Sequence, residues 1–342
     1  MNQVRNMEKL LDIKNLSVSF KTDEGIVRAV DSVSLEVNKG EVLGLVGESG
    51  CGKSVTSMSI LRLIASPPGS IDSGEILFDN KDLLSIPIEN LRKIRGNSIS
   101  MIFQEPMNAL SPLHCVGNQL VETLKFHRDI NHKQAWQIGE EWLYKTGIPD
   151  PSKNMYAYPF QLSGGMCQRV MIAMALMLDP KLIIADEPTT ALDVTIQAQI
   201  FDLMREMKKK DTSLLLITHN MGIIREMCDR VAVMYASEIV EVGTVKRIFE
   251  KPLHPYTQAL INSIPLLNTE GKYRKLESIP GQVPSPLNYP KGCRFQDRCK
   301  YTFDKCRKEH PKLEKVNNRQ SRCFLVEQQG EIPHRNGAGQ KK

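Results

Sequence analysis

The chain has 342 residues, of which 41% are hydrophobic and 25% charged, with a net charge of +6. This is an ordinary globular composition, with length for two domains and a sizeable core. The charge is modest and spread out, which argues against a nucleic-acid partner, and no apolar run approaches the length of a membrane span. Met1–Lys9 lacks the apolar core of a secretory signal, so a cytosolic protein is expected.

Taken in chain order, the first landmark is Phe20, in Val18-Ser19-Phe20, on an expected N-terminal strand where an aromatic serves as core as readily as it serves a ligand. The apolar run Val42–Val46 then leads into Gly47-Glu48-Ser49-Gly50-Cys51-Gly52-Lys53-Ser54, and Val55–Leu63 follows as an expected helix. This is a complete G-x-x-x-x-G-K-[ST] phosphate loop. Its glycines let backbone N–H groups turn toward a polyphosphate, and the helix N-terminus adds a favourable field. Lys53 is expected to reach the β- and γ-phosphates, and the Ser54 hydroxyl to ligate Mg²⁺. Cys51 sits at that helix start beside Lys53. Both neighbours favour a thiolate, so Cys51 is expected to be a reactive thiol whose alkylation blocks the loop, with Cys167 a second candidate.

Glu122–Gly147 carries Leu124, Trp136, Ile138, Trp142 and Leu143 at helical spacing and reads mostly as core. Leu162-Ser163-Gly164-Gly165-Met166-Cys167-Gln168-Arg169 opens the apolar stretch Val170–Leu178. Ser163 suits a helix start, and the two glycines allow close backbone approach, so the chemistry is that of a second anion-binding helix terminus. Leu182–Ala185 reads as a buried parallel strand ending in Asp186-Glu187, where open α/β sheets place ligands. Asp186 is expected to hold Mg²⁺ and Glu187 to polarise an attacking water. His219 follows another apolar strand, Leu214–Ile217, expected to lie beside the Asp186-Glu187 strand. Lys208–Lys210 reads as the solvated end of a helix.

Past residue 250 the composition changes. Lys251-Pro252-Leu253-His254-Pro255-Tyr256-Thr257 leads into a short amphipathic helix, and Ile279–Pro286 is proline-rich and expected to be an extended loop. Of eight cysteines, Cys293, Cys299, Cys306 and Cys323 fall near the C-terminus, separated by five, six and sixteen residues. Zinc favours tighter pairs, whereas four loosely spaced thiolates suit an iron–sulfur cluster; zinc and unligated thiols remain open. Arg294, Arg298 and Lys300 flank these cysteines, either to offset the charge of a cluster or as ordinary surface cations.

Together these motifs resemble the ATP-binding-cassette (ABC) ATPases. Leu162–Gln168 resembles their signature, Phe103-Gln104-Glu105 the Q-loop, Ala191-Leu192-Asp193 the D-loop and Thr218-His219 the switch histidine. The resemblance implies an α/β phosphate-loop ATPase with a RecA-like core sheet, an antiparallel β subdomain and an inserted helical subdomain. It implies that Gln104 reaches Mg²⁺ and the attacking water, that His219 contacts the γ-phosphate, and that Phe20 stacks on adenine. It also implies that Gly47–Val55 bind ATP, and that Ser163, Gly164, Gly165, Gln168 and Asp193 meet the nucleotide or the surface of an opposing subunit. Glu105–Val116 is implied to receive a coupling helix from a membrane subunit.

The stretch from His254-Pro255-Tyr256-Thr257 to Pro280-Gly281-Gln282-Val283-Pro284-Ser285-Pro286 is similar to the C-terminal extension of oligopeptide and dipeptide permease ATPases, with nickel-transporter ATPases near relatives. The expected organisation is a cassette over 8–250, its helical part about 106–178, an extension over 251–328 and a disordered tail over 329–342. Some ATPases of this type carry a [4Fe-4S] cluster on cysteines so placed, and the resemblance extends that expectation here. It further implies ATP-driven import of peptides, two transmembrane permease subunits, a second and different cassette in trans, an extracytoplasmic binding protein acting indirectly, and a peripheral place on the cytoplasmic face of the inner membrane. One set of motifs and the C-terminal extension count against the alternative of a soluble regulatory ABC-type ATPase. One departure from the pattern lies at Met234-Tyr235-Ala236-Ser237-Glu238, where glycine is common after the alanine.

Overall fold

Apolar residues alternate along β1 (Lys9–Thr22), but the alternation changes phase partway: Leu11 and Ile13 are buried, then Leu16 and Val18. A bulge causes the change. Asn15 adopts φ 48, and the pairing with β2 (Gly25–Asn38) shifts between Ile13 and Leu16, so one inserted residue keeps the apolar face turned inward. The computed structural model describes residues 8–189, 192–208, 211–263 and 279–329; the expectations for Ala191, for Lys209 and Lys210 and for residues 330–342 lie outside them.

The remaining strands are β3 (Val42–Val46), β4 (Gly69–Phe78), β5 (Lys81–Asp82), β6 (Ile99–Ile102), β7 (Leu182–Asp186), β8 (Ser213–Thr218), β9 (Arg230–Tyr235), β10 (Glu238–Thr244), β11 (Glu314–Val316) and β12 (Arg319–Ser321). Four form an antiparallel sheet in the order β2-β1-β4-β5, and eight form the main sheet in the order β11-β12-β10-β9-β3-β8-β7-β6. In the main sheet β9, β3, β8, β7 and β6 run parallel. Every residue of β3, β6, β7 and β8 is buried, as expected where both faces of a parallel sheet are covered.

The two faces separate by the strand period of two. Leu43, Leu45, Leu182, Ile184, Leu215 and Ile217 pack against the antiparallel sheet. Ile183, Ala185, Leu214 and Leu216 face the helices Val116–His127, His132–Lys145 and Gly164–Leu176. The helical spacing over Glu122–Gly147 therefore resolves into two helices. The break falls at Asn131, whose side chain accepts from the Gln134 N–H while the Gln134 side chain accepts from the Asn131 N–H.

The main sheet continues into the C-terminal residues, because β12 pairs with β10 through Glu241 opposite Ser321. Tyr256 and Phe295 join Val46, Val233 and Tyr235 in a third core, packed on β3, β9 and β10 of that sheet. The β9–β10 hairpin turns on Ala236 (φ 46) and Ser237 (φ 70), both in the left-handed region that glycine adopts most easily. Ser237 holds that conformation with its own bonds. Its hydroxyl donates to Arg28 O at 2.8 Å and meets the Tyr289 hydroxyl at 2.7 Å, and its N–H donates to Cys51 O at 3.1 Å.

Candidate nucleotide site

β8 lies between β3 and β7, with Val46 paired to Thr218 and Asp186 to Ile217. The residues that follow these three strands thus gather at one carboxyl edge of the sheet, where α/β folds bind ligands. The phosphate loop leaves β3 and enters the helix Lys53–Ile60. Two glycines are sterically required there. A Cβ on Gly47 would stand 2.1 Å from Met234 O, and one on Gly52, at φ +103, would stand 2.2 Å from Ala29 O. Ser49 and Gly50 are exposed, whereas Lys53 is buried and its ammonium donates to Gly47 O at 2.8 Å and Glu48 O at 2.9 Å. Val55 and Phe20 are partly buried against the core beneath the antiparallel sheet.

Asp186 ends β7 and is 3% exposed. Burial raises its carboxyl above the usual range, and a hydrogen bond with Ser54 works in the opposite direction. Its Oδ1 is buried with no hydrogen-bond partner among the described residues. An orphaned carboxylate oxygen beside a hydroxyl is the hard-oxygen donor set that a divalent cation such as Mg²⁺ takes, so the residues present fit that ion.

Glu187 is the meeting point of the site. Its backbone sits at φ 46, pinned by an N–H donated to Ile217 O at 2.9 Å. A non-glycine residue held in this region stores strain and is commonly found where function fixes the geometry. His219 Nδ1 lies 3.0 Å from Oε1 of Glu187, and Gln104 Nε2 donates to Oε2 at 3.4 Å. The three groups come from the ends of β7, β8 and β6, neighbours in the sheet. A cavity of about 280 Å³ opens against Glu187, Thr218 and His219.

Ser163 caps the helix Gly164–Leu176, its hydroxyl accepting from Met166 N–H at 3.3 Å, and Ser163 and Gly164 are exposed with open space at the Gly164 Cα. Gln168 is different in kind. It is fully buried and donates its side-chain amide to Pro188 O, so it braces the turn after Glu187. Asp193 is exposed and caps the helix Val194–Lys208, accepting from Ile196 N–H at 2.9 Å.

Residues 30–190 match the ABC transporter family, and residues 240–306 match the oligopeptide/dipeptide transporter C-terminal region. The oligopeptide transport ATP-binding protein AppD of Bacillus subtilis is 48% identical over 326 residues, covering 95% of this chain and 99% of its own. The chain belongs to the ABC transporter ATPases. The dipeptide transport ATP-binding protein DppD of Haemophilus influenzae is likewise 48% identical, over 96% of this ABC ATPase and 99% of its own length. Among solved structures, the ATP-binding cassette MJ0796 in a dimeric post-hydrolysis state bound to ADP and Pi matches with a TM-score of 0.63 at 28% identity, covering 69% of this chain and 98% of that one.

Two expectations for this ABC ATPase are corrected by the structure. The first is the iron–sulfur cluster, and with it the zinc alternative. Among the described residues no three His, Cys, Asp or Glu side chains are grouped to hold a metal ion. Cys293, Cys299, Cys306 and Cys323 instead line a cavity of about 20 Å³ among Phe295, Phe324 and other core groups, room for about one water. Burial pushes the unligated Cys293 and Cys323 thiols up to about 12 and Cys299 up to about 11. Loose spacing in sequence carried no information about whether the sulfurs converge.

The second is the reactivity of Cys51. It is 1% exposed, packed under the loop beside Gly47, and burial raises its thiol in spite of Lys53. Cys167 is buried as well, donates to Pro159 O at 3.4 Å, and is also raised by burial. The flanking arginines have other partners than a cluster. Arg294 pairs with Asp31 and donates to Ala236 O at 2.6 Å, and Arg298 pairs with Glu48 at 2.9 Å. Sequence reading missed this junction between the C-terminal residues and the phosphate loop; nothing in the spacing of Glu48 and Arg298 points one to the other.

Proposed function

We propose that this ABC ATPase hydrolyses ATP to power the import of peptides through a membrane transporter. The observation that carries the reading is the convergence of Gln104 and His219 on opposite oxygens of Glu187, beside an unpartnered Asp186 oxygen at the end of the same strand. The peptide cargo rests on the relatives, which are named as oligopeptide and dipeptide transport proteins, and on the matching C-terminal region.

In this reading the phosphate loop binds the polyphosphate through its backbone N–H groups, and Lys53 exchanges its bonds to Gly47 O and Glu48 O for phosphate oxygens. Ser54, Asp186 and Gln104 would hold the Mg²⁺, which when bound would supply positive charge to offset that developing on the phosphates. Glu187 accepts the proton of the attacking water. His219 and Gln104 fix its carboxylate so that no reorientation is needed at the moment of attack. Phe20 receives the adenine. Ser163 and Gly164, exposed at a helix start, and Asp193, exposed at another, supply a surface for the nucleotide and chain of an opposing cassette; that the opposing cassette is a different, related ATPase rests on the family resemblance alone.

Two transmembrane permeases, contacted through Glu105–Val116, would convert closure of that dimer into transport, and an extracytoplasmic binding protein would deliver the cargo. The protein would then sit peripherally on the cytoplasmic face of the membrane; among its described residues no helix is long and apolar enough to cross one. Reconstitution of the chain with its permeases and second cassette in proteoliposomes tests the reading. ATP-dependent uptake of labelled peptide supports it, and uptake of nickel but not peptide overturns the cargo.

A further inference from the structure

Glu48 places a negative charge inside a loop built to receive polyphosphate, which is an electrostatic conflict unless something compensates it. The compensation comes from 250 residues away. Arg298 Nη1 donates to Glu48 Oε2 at 2.9 Å, and the arginine side chain is 6% exposed. Arg298 is itself held by Pro280 and Tyr235. Its Nε donates to Pro280 O at 2.9 Å, its Nη1 reaches the Tyr235 hydroxyl at 3.4 Å, and its guanidinium lies 5.7 Å from the Tyr235 ring centre.

The backbone of Glu48 is tied to the same region. Its N–H donates to the Tyr256 hydroxyl at 2.9 Å, and Tyr256 is fully buried against Tyr235 and Phe295, with ring centres 4.6 and 5.5 Å away. The bonds to the Glu48 carboxylate from Arg298 and to its N–H from Tyr256 thus both come from residues past 250 that pack on the main sheet. A side chain free to rotate would bring its carboxylate toward the phosphates; one gripped by a buried arginine cannot.

From this geometry we infer that Arg298 and Tyr256 are positioning residues for nucleotide binding, and that the C-terminal extension sets the ATP affinity of the phosphate loop by neutralising and aiming Glu48. They touch no substrate; they act through Glu48. The inference rests on the phosphate-loop reading of Gly47–Ser54. It gives a part of the chain that carries none of the motifs of the nucleotide site a consequence for nucleotide affinity.

The test is equilibrium binding of a fluorescent ATP analogue to the full chain, with KM and kcat measured alongside. Arg298→Ala leaves Glu48 uncompensated and is expected to raise Kd and KM about tenfold, with kcat little changed. Arg298→Lys keeps the charge and recovers most of the loss. The deciding variant is the double change Glu48→Gln with Arg298→Ala. Removing the carboxylate should return Kd to within about twofold of the parent, because the conflict is gone. If Arg298→Ala binds the analogue like the parent, or if the double variant binds as poorly as Arg298→Ala alone, the inference fails. A lowered melting temperature in Arg298→Ala that persists in the double variant while its affinity returns separates folding from positioning. Lys53→Ala distinguishes the two levels: binding unaffected by that change would overturn the phosphate-loop reading itself.

Discussion

His219 Nδ1 lies 3.0 Å from Oε1 of Glu187, although 32 positions separate the two in the chain. β8 places the histidine beside the strand that ends in the carboxylate, and Gln104 closes on the other oxygen from β6. Glu187 is mostly buried while His219 is largely exposed. Replacing Glu187 with Gln keeps shape and hydrogen bonding but removes the proton acceptor. Turnover is expected to fall by about 10²–10⁴-fold, with ATP retained. His219→Ala should lower kcat with a smaller effect on ATP binding, because the base survives but loses the imidazole that holds its Oε1. Single-turnover and steady-state hydrolysis check both; undiminished turnover in Glu187→Gln would remove it from the base role.

Asp186 gives a separate prediction about the cation. Asn at this position preserves volume and removes the charge whose Oδ1 stands unpartnered. Asp186→Asn should shift the Mg²⁺ concentration for half-maximal activity upward by at least tenfold with the melting temperature held within a few degrees. A magnesium titration identical to the parent's would remove Asp186 as the ligand.

Burial of Cys51 predicts the order in which thiols react. N-ethylmaleimide should label Cys115, which is partly exposed, well before Cys51, which is 1% exposed. Peptide mass spectrometry over a time course reads this directly. Early labelling of Cys51 with loss of ATP binding would restore the reactive-thiol expectation.

His254 predicts an acid-side stability effect. The ring is fully buried, its Nδ1 accepts from Tyr256 N–H at 3.1 Å, and burial depresses its pKa to about 3, with the Arg322 charge acting the same way. A depressed histidine contributes stability that is complete above the unfolded value near 6.5 and is lost progressively as pH falls toward 3, since the unfolded chain takes up a proton the fold refuses. Glu241 packs against it, accepting the His254 N–H at 2.9 Å. Its own carboxyl is raised by burial to about 7, so its contribution is present below 4.5 and lost as pH rises through 7, the opposite sense. Comparing the parent with His254→Asn cancels the glutamate and leaves the histidine. Between pH 6 and 4 the parent should lose stability more steeply, by up to about 1.4 kcal/mol per pH unit. Parallel stability curves for the two proteins would show that His254 is not the titrating group.

The sequence by itself determined the parts whose chemistry is local. A phosphate loop needs consecutive residues with glycines at fixed offsets, and Gly47 and Gly52 sit where any Cβ would collide with backbone. The apolar strands that end in Asp186-Glu187 and precede His219 were legible from their runs of buried types, and parallel pairing set them side by side. The helical break at Asn131 was written there too, in an Asn-x-x-Gln box that spacing alone passed over.

Tertiary structure alone decided the contacts made across long separations. Whether four cysteines converge, whether Cys51 meets solvent, and which residue answers the charge of Glu48 depend on how remote segments pack, and sequence spacing says nothing about that. The physical reason is that burial and partner choice are properties of the assembled core. The same low-dielectric packing keeps Cys293 and Cys323 protonated, holds His254 neutral, and brings Arg298 onto the phosphate loop.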